Sequence, residues 1–357
     1  MTYQDTSCLP NPPTVESPRD NTRYCTTGGH TSEENIHTFA IGDIHGQAIL
    51  LGPLIKKIER RAVSEGYEYR IVFLGNLIDR GPGSMSVLSQ VANHIERNPR
   101  SLLLRGNHDW FLLWILDELK GVEQERYFKH WLLAMGGGAT AWGLGHYGGK
   151  PTVDDIRENL PSNEPTLLRN AKSYLETDHC IYVHAGIRPR VPLAEQDAFD
   201  LMWIRDPFLS FGGKLGKRVV HGHTPTSSHF PEIYKDRIAI DTGAFRSNRL
   251  TAVHTKPDGT MSFLCSDFSG VNVVEPHFPE NIAIHEVLRR LLHDTVSALG
   301  FPISDEFRKY IFNQIDDQET AAFIRYHGNC TSESELMRKL GMGTDFYTEA
   351  LKYAPAA

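Results

Sequence analysis

The sequence predicts an α/β fold, and three observations carry it. Between residues 37 and 119, an apolar run, a glycine-bearing loop and a helical apolar stripe follow one another three times. After residue 180, short apolar runs recur with little helical pattern between them. Beyond Pro279 the periodicity turns helical. Repeated strand, loop and helix argue a parallel sheet with right-handed crossovers, and the later short runs argue a second sheet.

Residues 1–35 are rich in Thr, Ser, Asn and Pro and carry few large apolar side chains. Such a segment buries too little surface to offset its ordering entropy, so a flexible tail is expected. Thr38-Phe39-Ala40-Ile41 reads as the first buried strand, stopped by Gly42. Ile49, Leu50, Leu51, Leu54, Ile55 and Ile58 then fall at helical spacing. Ile71-Val72-Phe73-Leu74 is the second strand, and Val87, Leu88, Val91 and Ile95 share one face of the next helix. Leu102-Leu103-Leu104 is the third strand, followed by a helix from Trp110 to Leu119. Residues 121–178 read as a polar helical insert, placed as a cap over the site, with glycines at 136–138. Strands follow at 181–183, 218–220, 238–240, 250–254 and 261–265; the last two pair as a hairpin around Pro257-Asp258-Gly259. Ile284, Val287, Leu288, Leu291, Leu292 and Val296 form one helical face, and Ser332 with Glu335 reads as a capping box. The organisation is thus a tail over 1–35, a domain over 36–278 and a helical extension over 279–357. Packing on the domain, dimerisation and partner binding all suit that extension, and the oligomeric state stays open.

Composition narrows the function class. A net charge of -7 argues against nucleic acid as the main partner. No apolar run reaches the ~20 residues a membrane span requires. Cys8, Cys25, Cys180, Cys265 and Cys330 are scattered without CxxC spacing, as free thiols in a reducing compartment would be. The N-terminus shows no basic-then-apolar leader pattern, and a cytoplasmic location is expected.

Five blocks carry the chemistry: Gly42-Asp43-Ile44-His45-Gly46, Gly75-Asn76-Leu77-Ile78-Asp79-Arg80-Gly81, Gly106-Asn107-His108-Asp109, His184-Ala185-Gly186 and His221-Gly222-His223-Thr224. Each follows an apolar run, and in parallel sheets ligands gather at the carboxyl ends of strands. Asp43 and His45, two apart on a loop, can turn toward one ion, and carboxylate with imidazole suits Mn, Fe or Zn. Asn107, His184 and His223 can hold a second ion. Such a pair clamps a phosphate and activates water for in-line attack. His108 can face the leaving oxygen, with Asp79 keeping it oriented. Arg80 and Arg205 offer planar forks for phosphate oxygens. His221 could touch substrate or merely bond within its loop. Asp109 and the Asp241-Thr242-Gly243 turn read as structural, and His146, His229, His254 and His285 as surface or satisfied core groups.

These blocks resemble the motif set of the phosphoprotein phosphatase family of metallophosphoesterases: GDxHG, GDxxDRG, GNHD, then H and GH. The likeness spans roughly residues 37–268. Val183 to Pro189, Leu201 to Phe208 and His221 to Pro225 are most similar to its bacterial serine/threonine branch. The resemblance implies a four-layer β-sandwich flanked by helices and a dinuclear site. Asp43 and His45 would hold the first metal, and Asn107, His184 and His223 the second. Two divalent ions are implied, Mn first, with Fe, Zn or Mg as alternatives. His108 with Asp79 would form the acid pair, and Arg80 and Arg205 would take phosphate.

Asn76 departs from that pattern, standing where a bridging Asp is implied. A neutral amide bridges metals poorly, so an inactive or substrate-trapping form is expected. The intact neighbours favour an Asp-to-Asn change that traps substrate over a naturally weakened enzyme or an error in the sequence. The function expected is hydrolysis of phosphorylated Ser or Thr side chains, with Tyr less favoured, on protein or peptide substrates and without a phosphoenzyme. Hydrolysis of dinucleoside polyphosphates or other small phosphoanhydrides is the alternative, against which Asp79-Arg80-Gly81 counts. A phospho-binding pseudo-enzyme is the third reading.

Overall fold

A computed structural model describes residues 35–146, 150–161 and 164–279. Boundary residues aside, the expected tail and C-terminal extension lie outside these residues, as do Cys8, Cys25 and Cys330. The strands begin with β1 (His37–Ile41), β2 (Tyr69–Phe73), β3 (Leu102–Leu103), β4 (Tyr174–Glu176), β5 (Cys180–Val183) and β6 (Arg218–His221). They continue with β7 (Glu232–Ile233), β8 (Arg237–Ala239), β9 (Leu250–Thr255), β10 (Met261–Asp267) and β11 (Gly270–Val274). The helices are α1 (Ala48–Glu65), α2 (Ser84–Arg97), α3 (Asn107–Asp117), α4 (Gly121–His130), α5 (Gly137–Gly143), α6 (Val153–Asn159), α7 (Glu164–Arg169), α8 (Ala198–Trp203) and α9 (Ala244–Ser247).

Two sheets form, in the orders β11-β10-β9-β1-β2-β3 and β4-β5-β6-β8-β7. Strands β1, β2 and β3 run parallel, as do β5, β6 and β8. The period-two alternation of side chains explains the layering. In β1, Phe39 and Ile41 face a core shared with α1, α2 and α3, while Ala40 faces the other way. In β5, Cys180 and Tyr182 join Ala40, Val72 and Leu74 in a core between the sheets. Ile181 and Val183 face outward onto Leu201 and Ile204 around α8. Three apolar layers therefore separate four layers of structure, and the parallel strands of both sheets are largely buried on both faces, as such strands require.

The expected hairpin forms, but it joins the first sheet rather than the second. Strand β9 lies antiparallel to β1 with Phe39 opposite His254. All six residues of β9 are buried, so it fits a central position beside β1. Strands β4, β7 and β11 were not expected. The first two have three and two residues, too few to show a period. The segment 121–178 is likewise not wholly helical, because it ends in β4, which pairs with β5. Cys180 and Cys265 are free and buried. Among the described residues no helix is long and apolar enough to cross a membrane.

Candidate active site

The parallel strands of both sheets point their carboxyl ends at one place, and the five motif blocks occupy the turns there. Asp43, Asn76 and Asn107 follow β1, β2 and β3; His184 and His223 follow β5 and β6. Cross-sheet bonds hold the ends together. His223 donates its backbone N–H to Asp43 Oδ1 at 3.0 Å, and His184 Nδ1 donates to the Leu74 carbonyl at 2.8 Å. The turns are strained: His45, Asn76, Asp79, Arg80 and His223 all have positive φ. Left-handed backbone in non-glycine residues persists only where its surroundings over-determine it. Here Asp109 does so, accepting from the backbone N–H of Leu77 at 2.9 Å and of Ile78 at 3.3 Å. Gly106 permits the close approach of β3 to this turn, since a Cβ there would overlap the Asn76 backbone.

The imidazoles present bare nitrogens. His45 Nδ1 donates to the Ile78 carbonyl at 2.8 Å, which leaves Nε2 as a lone pair. That Nε2 is buried, has no hydrogen-bond partner and lies 3.9 Å from Asp43 Oδ2. His223 Nε2 is also buried without a partner. His184 has spent its Nδ1 proton on Leu74, yet its Nε2 lies 2.9 Å from Asn107 Oδ1. In the neutral ring that is an acceptor against an acceptor, a contact that a shared cation would relieve. Burial holds the rings neutral: His184 falls to about 4, and His45 and His223 fall well below the ordinary value, with neighbouring positive charge adding to the shift. Neutral imidazole is the metal-binding form. Burial conversely pushes Asp43 up to about 6, and Asp241 well above the usual range, where the Asp43 charge reinforces it. Bare nitrogens, an acceptor–acceptor contact and under-compensated carboxylates together fit divalent cations. Among the described residues no group of three or more His, Cys, Asp or Glu side chains forms a metal cluster. The two donor sets meet instead through the amides of Asn76 and Asn107.

Beside these sets stands an acid–base array. His108 Nδ1 donates to Asp79 Oδ2 at 2.8 Å, and His108 Nε2 faces Arg80 Nη2 at 3.1 Å. Asp79 has no solvent exposure and also accepts from Thr140 Oγ1 at 2.8 Å and Trp131 Nε1 at 3.0 Å. Burial pushes Asp79 up to about 7, against the pull of those two donors. Burial and the Arg80 charge hold His108 well below its ordinary value. Arg80 is exposed at its head, and its guanidinium lies 4.8 Å from the Phe245 ring. Arg205 is exposed, and its charge reaches His223.

The structure also settles neighbours of the motifs. His221 is fully buried and faces Arg237 Nη1 at 3.3 Å, so it braces β6 against β8 rather than facing substrate. Asp241 lies against Asp43 electrostatically while accepting from the Gly243 N–H at 2.9 Å. Three residues escaped sequence reasoning: Trp131 and Thr140, which hold Asp79, and Phe245, whose ring lies edge-on to His45 at 5.5 Å. Phe245 had one usable signal, its place in a turn after a buried strand. The insert meets the site through Asp79 and Arg80, whose N–H donates to the Gly136 carbonyl at 3.0 Å.

A helix-flanked double sheet with metal-ligand turns at its converging strand ends defines a metallophosphoesterase. The chain matches the calcineurin-like phosphoesterase (Metallophos) family over residues 36–243 and belongs to that family. It is 30% identical over 159 residues to a symmetrical bis(5'-nucleosyl)-tetraphosphatase of Janthinobacterium sp. (strain Marseille), spanning 44% of this chain and 46% of that protein. It is 25% identical over 264 residues to the asymmetrical bis(5'-nucleosyl)-tetraphosphatase PrpE of Oceanobacillus iheyensis, spanning 66% of this chain and 98% of that protein. Among solved structures, a protein serine/threonine phosphatase of Saccharomyces cerevisiae aligns with a TM-score of 0.41 at 13% identity, covering 69% of this chain and 83% of that one. A cold-active protein-tyrosine phosphatase of Shewanella sp. aligns with a TM-score of 0.38 at 17% identity, covering 64% and 80%.

Proposed function

We propose that this chain has the site of a metal-dependent phosphomonoesterase for phosphorylated protein or peptide side chains, with Ser and Thr preferred to Tyr, and that Asn76 in place of a bridging carboxylate leaves this form inactive or substrate-trapping until Asp is restored. The observation that carries the reading is the buried Asp79–His108 pair beside Arg80, aimed at the metal-ligand turns. When bound there, two divalent ions, Mn first, supply Lewis acidity toward the phosphate and lower the pKa of a water. Asp43 and His45 would hold one ion, and Asn107, His184 and His223 the other.

The remaining work falls to the chain. Arg80 and Arg205 take phosphate oxygens. Burial is the main cause that depresses His108, and the Arg80 charge adds to it. A phosphate dianion at Arg80 offsets that charge and draws the guanidinium off Nε2. His108 can then carry a proton at Nε2, and the ester oxygen leaves by accepting it. Asp79 fixes the ring, since its carboxylate accepts a hydrogen bond from Nδ1–H. Among the described residues no cysteine lies beside these groups, and the proposed attack uses no thiol nucleophile.

Hydrolysis of dinucleoside polyphosphates is the second reading. The names of the two relatives favour it, and so does Phe245 at the rim, with the guanidiniums of Arg80 at 4.8 Å and Arg246 at 5.1 Å from its ring. An aromatic ring flanked by cations suits a nucleobase. The decisive assay measures phosphate release by the Asn76→Asp variant from phosphopeptides and from a dinucleoside tetraphosphate, with Mn, Mg and Zn. Faster turnover of phosphoserine or phosphothreonine peptides is expected. Preference for the nucleotide overturns the substrate reading, and no activity on either leaves a phospho-binding protein.

A further inference from the structure

The Asn76 side chain is 2% exposed and its orientation is unambiguous. Its Oδ1 accepts the backbone N–H of His108 at 3.0 Å. Its Nδ2 therefore carries both hydrogens inward, one to Asp43 Oδ2 at 2.8 Å and one to Asn107 Oδ1 at 3.0 Å. Asp43 belongs to the first ligand set and Asn107 to the second. One amide group thus joins the two sets, donating to an oxygen of each.

We propose that Asn76 replaces metal as the clamp of this site: its two N–H donors satisfy both ligand sets and keep them assembled without a metal pair. The proposal rests on the assignment of those two ligand sets. An Asp at this position would keep the His108 bond through one oxygen, but its other oxygen would lie where Nδ2 now lies. A carboxylate there would face Asp43 Oδ2 and Asn107 Oδ1 with no proton between them, an arrangement that needs cations. The Asn side chain reverses that requirement. To admit ions at both oxygens it must break both inward bonds, and flipping the amide instead turns an NH2 toward the His108 N–H. Each route leaves buried donors unmatched. His45 Nε2 and His223 Nε2 stay bare, so ion binding through the imidazoles survives, but the bridged pair is disfavoured.

The test compares the full chain with Asn76→Asp and Asn76→Ala, by thermal melting with and without EDTA and by counting Mn retained after gel filtration. Chelation is expected to shift the melting temperature of the full chain by less than about 2 °C and to lower that of Asn76→Asp by roughly 3–8 °C. The full chain is expected to retain at most one Mn and the Asp variant two. Asn76→Ala removes the donors without adding charge. It is expected to melt below the full chain in EDTA and to gain less from Mn than Asn76→Asp does. This arm reads the clamp even if the Asp variant fails to fold without metal. The proposal is overturned if the full chain loses as much on chelation as the Asp variant, if it retains two ions, or if Asn76→Ala melts with it in EDTA. Phosphate release enters none of these readouts, so a failed substrate assignment leaves this test standing.

Discussion

The residue scale is governed by protons held out of water. Asp79 has three side-chain donors and no solvent, and of those donors only His108 presents a second nitrogen, Nε2, toward Arg80. Asp79→Asn keeps an acceptor for Trp131 and Thr140 but gives His108 Nδ1 only an amide to meet. In the Asn76→Asp background this change is expected to lower kcat by about 10²-fold, the usual scale of a lost general acid. The loss should be larger for alkyl phosphates than for aryl phosphates with acidic leaving groups, which need no proton to depart. Comparing kcat on the two esters checks it, and equal losses would remove His108 from the leaving-group role.

At the scale of elements, the insert contributes Trp131, in a π-helical turn after α4, and Thr140 in α5. They meet behind Asp79, and Gly137 is what lets them do so, since a Cβ on Gly137 would overlap the indole of Trp131. Gly137→Ala should therefore displace Trp131 from Asp79 and cost about 1–3 kcal/mol as overpacking. A drop in the denaturant midpoint together with a fall in kcat is expected, with Trp131→Phe, which deletes only the N–H donor, reproducing part of the fall. A variant with unchanged kcat would uncouple the insert from the acid pair. These contacts also mark the limit of what sequence could show. Asp43, His45, His184 and His223 were legible because each lies within four residues of a strand end, where topology alone places it at the site. Trp131 and Thr140 lie 52 and 61 residues from Asp79 and meet it only through packing, with no local pattern to announce them. Strand β9 was legible as a strand but not as a member of the first sheet, because its partner is chosen across the whole domain.

Across the whole molecule, buried titratable groups work at both ends of β1. At the carboxyl end burial raises carboxyls, Asp109 to about 8 and Asp79 to about 7. The folded state keeps protons there that the unfolded chain releases above about 4, so their contribution fades as pH rises through 7 to 8. At the other end the sheet carries a ring stack. His254 lies on Phe39 at 4.1 Å, and its Nε2 meets His37 Nδ1 at 2.8 Å. Burial lowers His254 to about 3, helped by the charges of Arg61, His37 and Lys256. Between that value and the unfolded 6.5 the unfolded chain binds a proton that the folded chain refuses, so stability falls as pH drops through this window. His254→Phe keeps a ring on Phe39 and removes the titrating group, while His37 retains its stack on Tyr67 at 3.7 Å. The unfolding free energy lost between pH 7 and pH 5 is expected to shrink by about 2 kcal/mol in this variant, 1.5 pH units of a single suppressed proton. Urea melts at the two pH values check it. Because the stack lies at the opposite end of β1 from the ligands, the change should appear equally with and without Mn. An acid limb as steep as in the unaltered chain would assign the acid sensitivity to the site histidines instead.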